Sequence, residues 1–167
     1  KYPPLGHRSY GVSRAQGYGM GFETYTATWN ARSVVLIQIE SVEGAEAAND
    51  LLAHPEIDGA MIGPYDLSGS LGIPGQLTHP RVRKVCAGVV EACRQHQKAC
   101  GTQLVEPAEG HVAEAIDAGY TFIVLASDVF VLWKWGERMR HLTSEFRKRG
   151  NERLDRLRPA PRMRVTR

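Results

Sequence analysis

Val34-Val35-Leu36-Ile37-Gln38-Ile39-Glu40 is a β-branched, nearly continuous apolar run closed by a carboxylate. A strand buried on both faces of a parallel sheet is apolar at almost every position, whereas a half-solvated strand alternates. The stretch therefore predicts a strand of a parallel sheet, and the same rhythm repeats on its carboxyl side. Ser41 can cap a helix over residues 42–53, which are rich in Ala, Glu and Leu. Gly59-Ala60-Met61-Ile62 makes a second strand, stopped by Gly63-Pro64. From Thr78, another capping residue, Val82, Val85, Cys86, Val89, Val90 and Cys93 recur at spacings of three and four, one buried stripe of a helix. Gly101 then precedes a third strand, Thr102-Gln103-Leu104-Val105. Residues 109–118 form a helix with Gly119 as its stop, and residues 121–126 a fourth strand. Ser127 or Asp128 caps a last, heavily apolar helix carrying Val129, Phe130, Leu132, Trp133, Trp135 and Met139.

Strands alternating with helices make a parallel α/β arrangement, and right-handed crossovers leave few topologies. A complete (β/α)₈ barrel takes about 250 residues, so the expectation is a partial barrel of roughly the last four βα units. Residues 1–33, rich in Gly, Tyr, Arg and Pro without a sustained period, read as a long loop with one short helix near residues 22–31. Residues 34–146 hold the βα units, and residues 147–167 a basic, flexible tail.

Composition narrows the function classes. A 167-residue chain that is 43% hydrophobic buries a real core. Its longest apolar stretches, residues 122–126 and 129–133, fall far short of the roughly 20 residues of a membrane span. Lys1-Tyr2-Pro3-Pro4 has no secretion-signal pattern, and an amino-terminal part missing before it is expected. Cys86, Cys93 and Cys100 lack Cys-x-x-Cys spacing; they read as core thiols, against a disulfide framework or a zinc site, and suit a reducing cytoplasm. The net charge of +3 is uneven: residues 147–167 carry nine Lys/Arg against two Asp/Glu, leaving the body at −4. No aromatic platform interleaves those arginines, so no specific nucleic-acid partner is expected.

In parallel α/β proteins the reactive groups gather at the carboxyl ends of the strands. Glu40 ends the first strand, and Asp66 follows the second through Gly63-Pro64-Tyr65. Two converging carboxylates without Cys or His partners suit a hard divalent cation, with waters and substrate oxygens completing the shell. Taken singly, Glu40 is equally a surface or capping carboxylate, and Asp66-Leu67-Ser68 an Asx-type turn or helix cap. Gly69-Ser70-Leu71-Gly72-Ile73-Pro74-Gly75 lacks the Lys-Ser/Thr ending of a P-loop and reads as a rim loop. His7, His54, His79, His96, His111 and His141 show no metal-ligand pairing.

Leu36-Ile37-Gln38-Ile39-Glu40-Ser41, Ile57-Asp58-Gly59-Ala60-Met61-Ile62-Gly63-Pro64-Tyr65-Asp66-Leu67-Ser68, Leu71-Gly72 and His79-Pro80 together resemble the HpcH/HpaI aldolase family. Tyr2-Pro3-Pro4-Leu5-Gly6 with Arg14-Ala15 resembles the family's segment after its fourth barrel strand. The resemblance implies a metal-dependent class II aldolase, a carbon–carbon lyase acting at the methyl carbon of pyruvate. It would cleave 4-hydroxy-2-oxo acids to pyruvate and an aldehyde. It implies Glu40 and Asp66 as ligands of Mg²⁺, Mn²⁺ or Co²⁺, and Gln38 as the catalytic helper of metal-bound water or substrate. Backbone amides around Gly63, Tyr65 and Asp66 would hold the substrate carboxylate. Homo-oligomers are implied as well. The family's acid–base histidine and oxo-binding arginine come from earlier strands that this sequence does not contain, and His7 and Arg8 do not match them. Tyr65 is bulkier than the alanine often found before the metal Asp. Alternatives are a non-catalytic half-barrel serving assembly or binding, and a citrate-lyase-like or malyl-CoA-lyase-like enzyme.

Overall fold

The computed structural model describes residues 1–157. Its sheet has four parallel strands in the order β1-β2-β3-β4: β1 (Leu36–Ile39), β2 (Gly59–Ile62), β3 (Ala99–Leu104) and β4 (Phe122–Leu125). Among the described residues the helices are α1 (Phe22–Arg32), α2 (Val42–Glu46), α3 (Ala48–Leu52), α4 (Pro64–Ser70), α5 (Pro80–Gln95), α6 (Glu109–Asp117) and α7 (Asp128–Leu157), with a 3-10 turn at Arg14–Gln16.

Strand geometry sends alternate side chains to opposite faces. Ile39, Ala60, Ile62 and Cys100 point to the helices, where they form one buried cluster with Ala48, Leu52, Leu67, Val89, Ala92 and Cys93. Each large member of that cluster contributes about 1.5–3 kcal/mol by leaving water. Val82, Val89 and Cys93 are the buried stripe of α5, as their spacing predicts. The opposite face of the sheet carries Leu36, Gln38, Met61, Gly101, Gln103, Phe122 and Val124, and it is open: Leu36 is 42% exposed.

Several boundaries differ from expectation for physical reasons. Residues 42–53 form two short helices instead of one; Ser41 caps the first through Gly44 N at 3.1 Å, and the break at Ala47 turns Ala48 and Leu52 into the core. The cap of α5 is His79 rather than Thr78. Pro80 at the first helical position holds the residue before it extended, and His79 Nδ1 accepts from Arg81 N at 3.2 Å. Gly101 lies inside β3 and not before it. A Cβ there would fall within the Phe122 ring, so the missing side chain is what lets Phe122 lie across the open face. Gly119, with φ +94°, ends α6 as expected.

The amino-terminal segment is tied down more firmly than a long loop implies. Asn30 of α1 clamps the backbone of Tyr2, accepting from its N–H at 2.8 Å and donating to its carbonyl at 3.0 Å. Tyr2 is buried, stacks on Tyr10 at 4.4 Å, and receives the Arg8 guanidinium 5.0 Å above its ring. The basic segment also departs from expectation: residues 147–157 continue α7 as helix, while residues 158–167 of the expected flexible tail lie outside the described residues. Lys and Arg are good helix formers, and no proline interrupts the run before Pro159. Among the described residues no helix is long and apolar enough to cross a membrane.

Candidate active site

The register pairs Gln38 with Met61 and Ile39 with Ile62. Gly63 N then donates to Ile39 O at 2.9 Å, which carries the ladder one step past β2 and sets Gly63 beside Glu40. Glu40 directly follows β1, two residues after Gln38, so the alternation of the strand puts both on the open face. There the Gln38 Nε2 amide donates to Glu40 Oε2 at 2.7 Å. A carboxylate has two oxygens and about four acceptor sites, so this bond orients Glu40 without saturating it. A Cβ on Gly63 would lie 3.0 Å from Glu40 Cβ, 3.3 Å from Glu40 Oε2 and 3.5 Å from Gln38 Nε2. The glycine thus keeps clear the space directly against the carboxylate.

Asp66 stands in the first turn of α4 and is exposed. Its helix is held on three sides. Leu67 is fully buried in the core. Ser68, also fully buried, donates to Tyr65 O at 2.5 Å and accepts from Gly75 N at 2.8 Å. Ser70 Oγ accepts from Val42 N at 3.0 Å, tying α4 to α2. Ser68 is the residue whose role sequence reasoning passed over; a serine three positions after Tyr65 in the first turns of a helix is its only local signal. Tyr65 is exposed and faces the rim loop, where a Cβ on Gly75 would lie 3.6 Å from its hydroxyl.

The substrate-binding amides expected around Gly63, Tyr65 and Asp66 are not equivalent. The Gly63 N–H is consumed by Ile39, and Pro64 has none; Tyr65 and Asp66 contribute the first-turn amides of α4, which have no partner within the helix.

The donor set fits a hard divalent cation. Glu40 is oriented by an amide, space is reserved beside it, and a second carboxylate, Asp66, stands in the first turn of the helix after β2. Among the described residues no group of three or more His, Cys, Asp or Glu side chains is assembled, so water and substrate oxygens would fill the rest of the shell, as Mg²⁺ and Mn²⁺ tolerate. The groove of about 800 Å³ beside β4 and α7, lined by His111, Phe130, Lys134, Trp135 and Arg138 among others, includes neither Glu40 nor Asp66.

Residues 1–134 match the model of the HpcH/HpaI aldolase/citrate lyase family. The chain belongs to this family. It is 34% identical over 139 residues to a hydroxypyruvate/pyruvate aldolase of Roseobacter denitrificans, covering 82% of this chain and 53% of that protein. It is 34% identical over 132 residues to a 5-keto-4-deoxy-D-glucarate aldolase of Citrobacter koseri, covering 78% of this chain and 50% of that one. A crystal structure of an HpcH/HpaI aldolase/citrate lyase family protein from Burkholderia cenocepacia superposes with a TM-score of 0.70 at 32% identity, over 86% of this chain and 54% of the other. The chain therefore spans about half the length of these HpcH/HpaI relatives.

Proposed function

We propose that this HpcH/HpaI chain carries the metal-binding half of a class II aldolase that cleaves 4-hydroxy-2-oxo acids to pyruvate and an aldehyde. The carrying observation is the Gln38–Glu40 pair beside the gap kept by Gly63, on a rim that also bears Asp66. Glu40 and Asp66 hold the divalent ion, Mg²⁺ or Mn²⁺. Such an ion supplies Lewis-acid polarisation of the 2-oxo group. Gln38 keeps Glu40 in one rotamer and stands within reach of a water or substrate oxygen at the same place. The amides of Tyr65 and Asp66 orient the substrate carboxylate without adding a charge.

In this reading the sheet is the carboxy-terminal half of a barrel. The acid–base and oxo-binding groups come from the half that precedes it in the relatives. The bare face of α7, on which Leu132 is 68% and Trp135 57% exposed, supports assembly into homo-oligomers. That same face, together with the open sheet, favours as second reading a module that assembles with another polypeptide and does no chemistry of its own.

Pyruvate release from 4-hydroxy-2-oxo acids separates the two. It is measured with and without Mn²⁺, in residues 1–167 and in a version extended at the amino terminus. The aldolase reading expects Mn²⁺-dependent release that rises by about 10² or more in the extended version, where acid–base and oxo-binding groups are restored. No release from either version, with Mn²⁺ present, contradicts it.

A further inference from the structure

The open face of the sheet is organised in layers, because parallel register aligns residues across all four strands. Gln38, Met61, Gly101 and Phe122 form one layer. Extending the same register two residues on, one past the ends of β1 and β2, sets Glu40 and Gly63 level with the paired Gln103 and Val124. Gln103 is paired directly with Val124, and Cys100 and Gly101 fix which way it faces, since Cys100 is buried among the helices and Gly101 lies under the Phe122 ring. Gln103 thus presents an amide on the same face and at the same height as the Gln38–Glu40 pair.

Its surroundings are otherwise apolar: Val124 beside it, Phe122 and Met61 in the layer below. The half-buried amide there is reached from the open face, so its donors and its acceptor stay available to a ligand. No hydrogen bond ties its side chain to the described residues. Its position matters too. Neighbouring strands lie about 4.8 Å apart, so β3 is about 10 Å from β1. That is too far to touch the oxygens of a three-carbon 2-oxo acid held at Glu40, and close enough to meet what is joined to that acid's methyl carbon. The chemistry narrows the choice further. A neutral amide both donates and accepts, which matches a hydroxyl; a carboxylate or phosphate calls for a cation.

We propose that Gln103 is a specificity-determining residue that hydrogen-bonds a hydroxyl on the aldehyde partner, so that the site prefers hydroxyaldehydes to unsubstituted ones. This deepens the aldolase reading and rests on it.

Glycolaldehyde and propanal test it, because they differ only in a hydroxyl against a methyl. In the version extended at the amino terminus, with Mn²⁺, kcat/KM for aldol addition of pyruvate to each aldehyde is measured for wild type, Gln103→Leu and Gln103→Met. Exchange of the pyruvate methyl protons with D₂O, which needs no aldehyde, is followed in parallel. The proposal expects exchange to stay within about twofold in both variants while the preference for glycolaldehyde over propanal falls about tenfold. An unchanged preference with exchange intact overturns the role of Gln103. Loss of exchange in both variants makes the residue structural and also overturns it. Absence of exchange in the wild type overturns the aldolase reading, and the assignment of Gln103 with it.

Discussion

Gln38 of the edge strand β1 and Glu40 just past its end are joined by a 2.7 Å hydrogen bond from Nε2 to Oε2, on the face of the sheet that the helices leave open. The bond holds a flexible, exposed carboxylate in one orientation before any ligand arrives. Such groups behind a metal ligand typically account for 10–100-fold in affinity. Gln38→Leu keeps the volume and removes the donor, so it should weaken Mn²⁺ binding by that range with the fold unchanged. Titration calorimetry beside circular dichroism checks both halves of the statement.

Gly63→Ala tests the space beside the carboxylate. The new Cβ would sit 3.0 Å from Glu40 Cβ, tighter than ordinary contact, so Glu40 must swing away from Gln38. Mn²⁺ affinity should fall about tenfold, with a modest effect on stability because Glu40 is exposed and can move. A variant that binds Mn²⁺ as well as wild type would show that the gap plays no part in the site.

Gly101→Ala should act on stability. Phe122 occupies the place of the added methyl, and both residues sit on paired strands that cannot separate cheaply. Overpacking of this kind costs about 1–3 kcal/mol. Urea unfolding should show it as a lower midpoint with little change in slope.

The apolar face of α7 should drive association. Leu132 and Trp135, three residues apart and so on one side of the helix, are 68% and 57% exposed. Replacing both by Glu should shift the protein toward monomer in sedimentation velocity, whereas a wild type that is already a monodisperse monomer would contradict the role given to this helix.

The parallel sheet is legible because its signal is local: nearly continuous apolar runs at residues 34–39 and 122–125, each with a capping residue within three positions of its end. Glu40 and Asp66 are candidates for a related local reason, since Glu40 directly follows β1 and Asp66 lies in the first turn of the helix after β2. What local pattern could not give were effects set across strands. A glycine ahead of apolar residues reads as a stop, yet Gly101 is inside β3 because Phe122, twenty-one residues later, needs its room. The Gly63 amide looked available for substrate until the ladder assigned it to Ile39. Gln103 drew no notice because its height relative to Glu40 follows only from register. The continuation of α7 through residues 147–157 has a different cause: a run of like charge reads as solvated, while its Lys and Arg residues also favour helix.

Calorimetric titration of Mn²⁺ into wild type, Glu40→Gln and Asp66→Asn tests the metal site most directly. Both substitutions keep size and remove a charged oxygen donor, on exposed side chains that contribute little to folding. The account predicts one Mn²⁺ per chain in the wild type and an affinity lowered more than tenfold in each variant, with far-UV circular dichroism unchanged. Equal affinity in all three proteins would mean that these two carboxylates do not share a cation, and the lyase reading would lose its foundation.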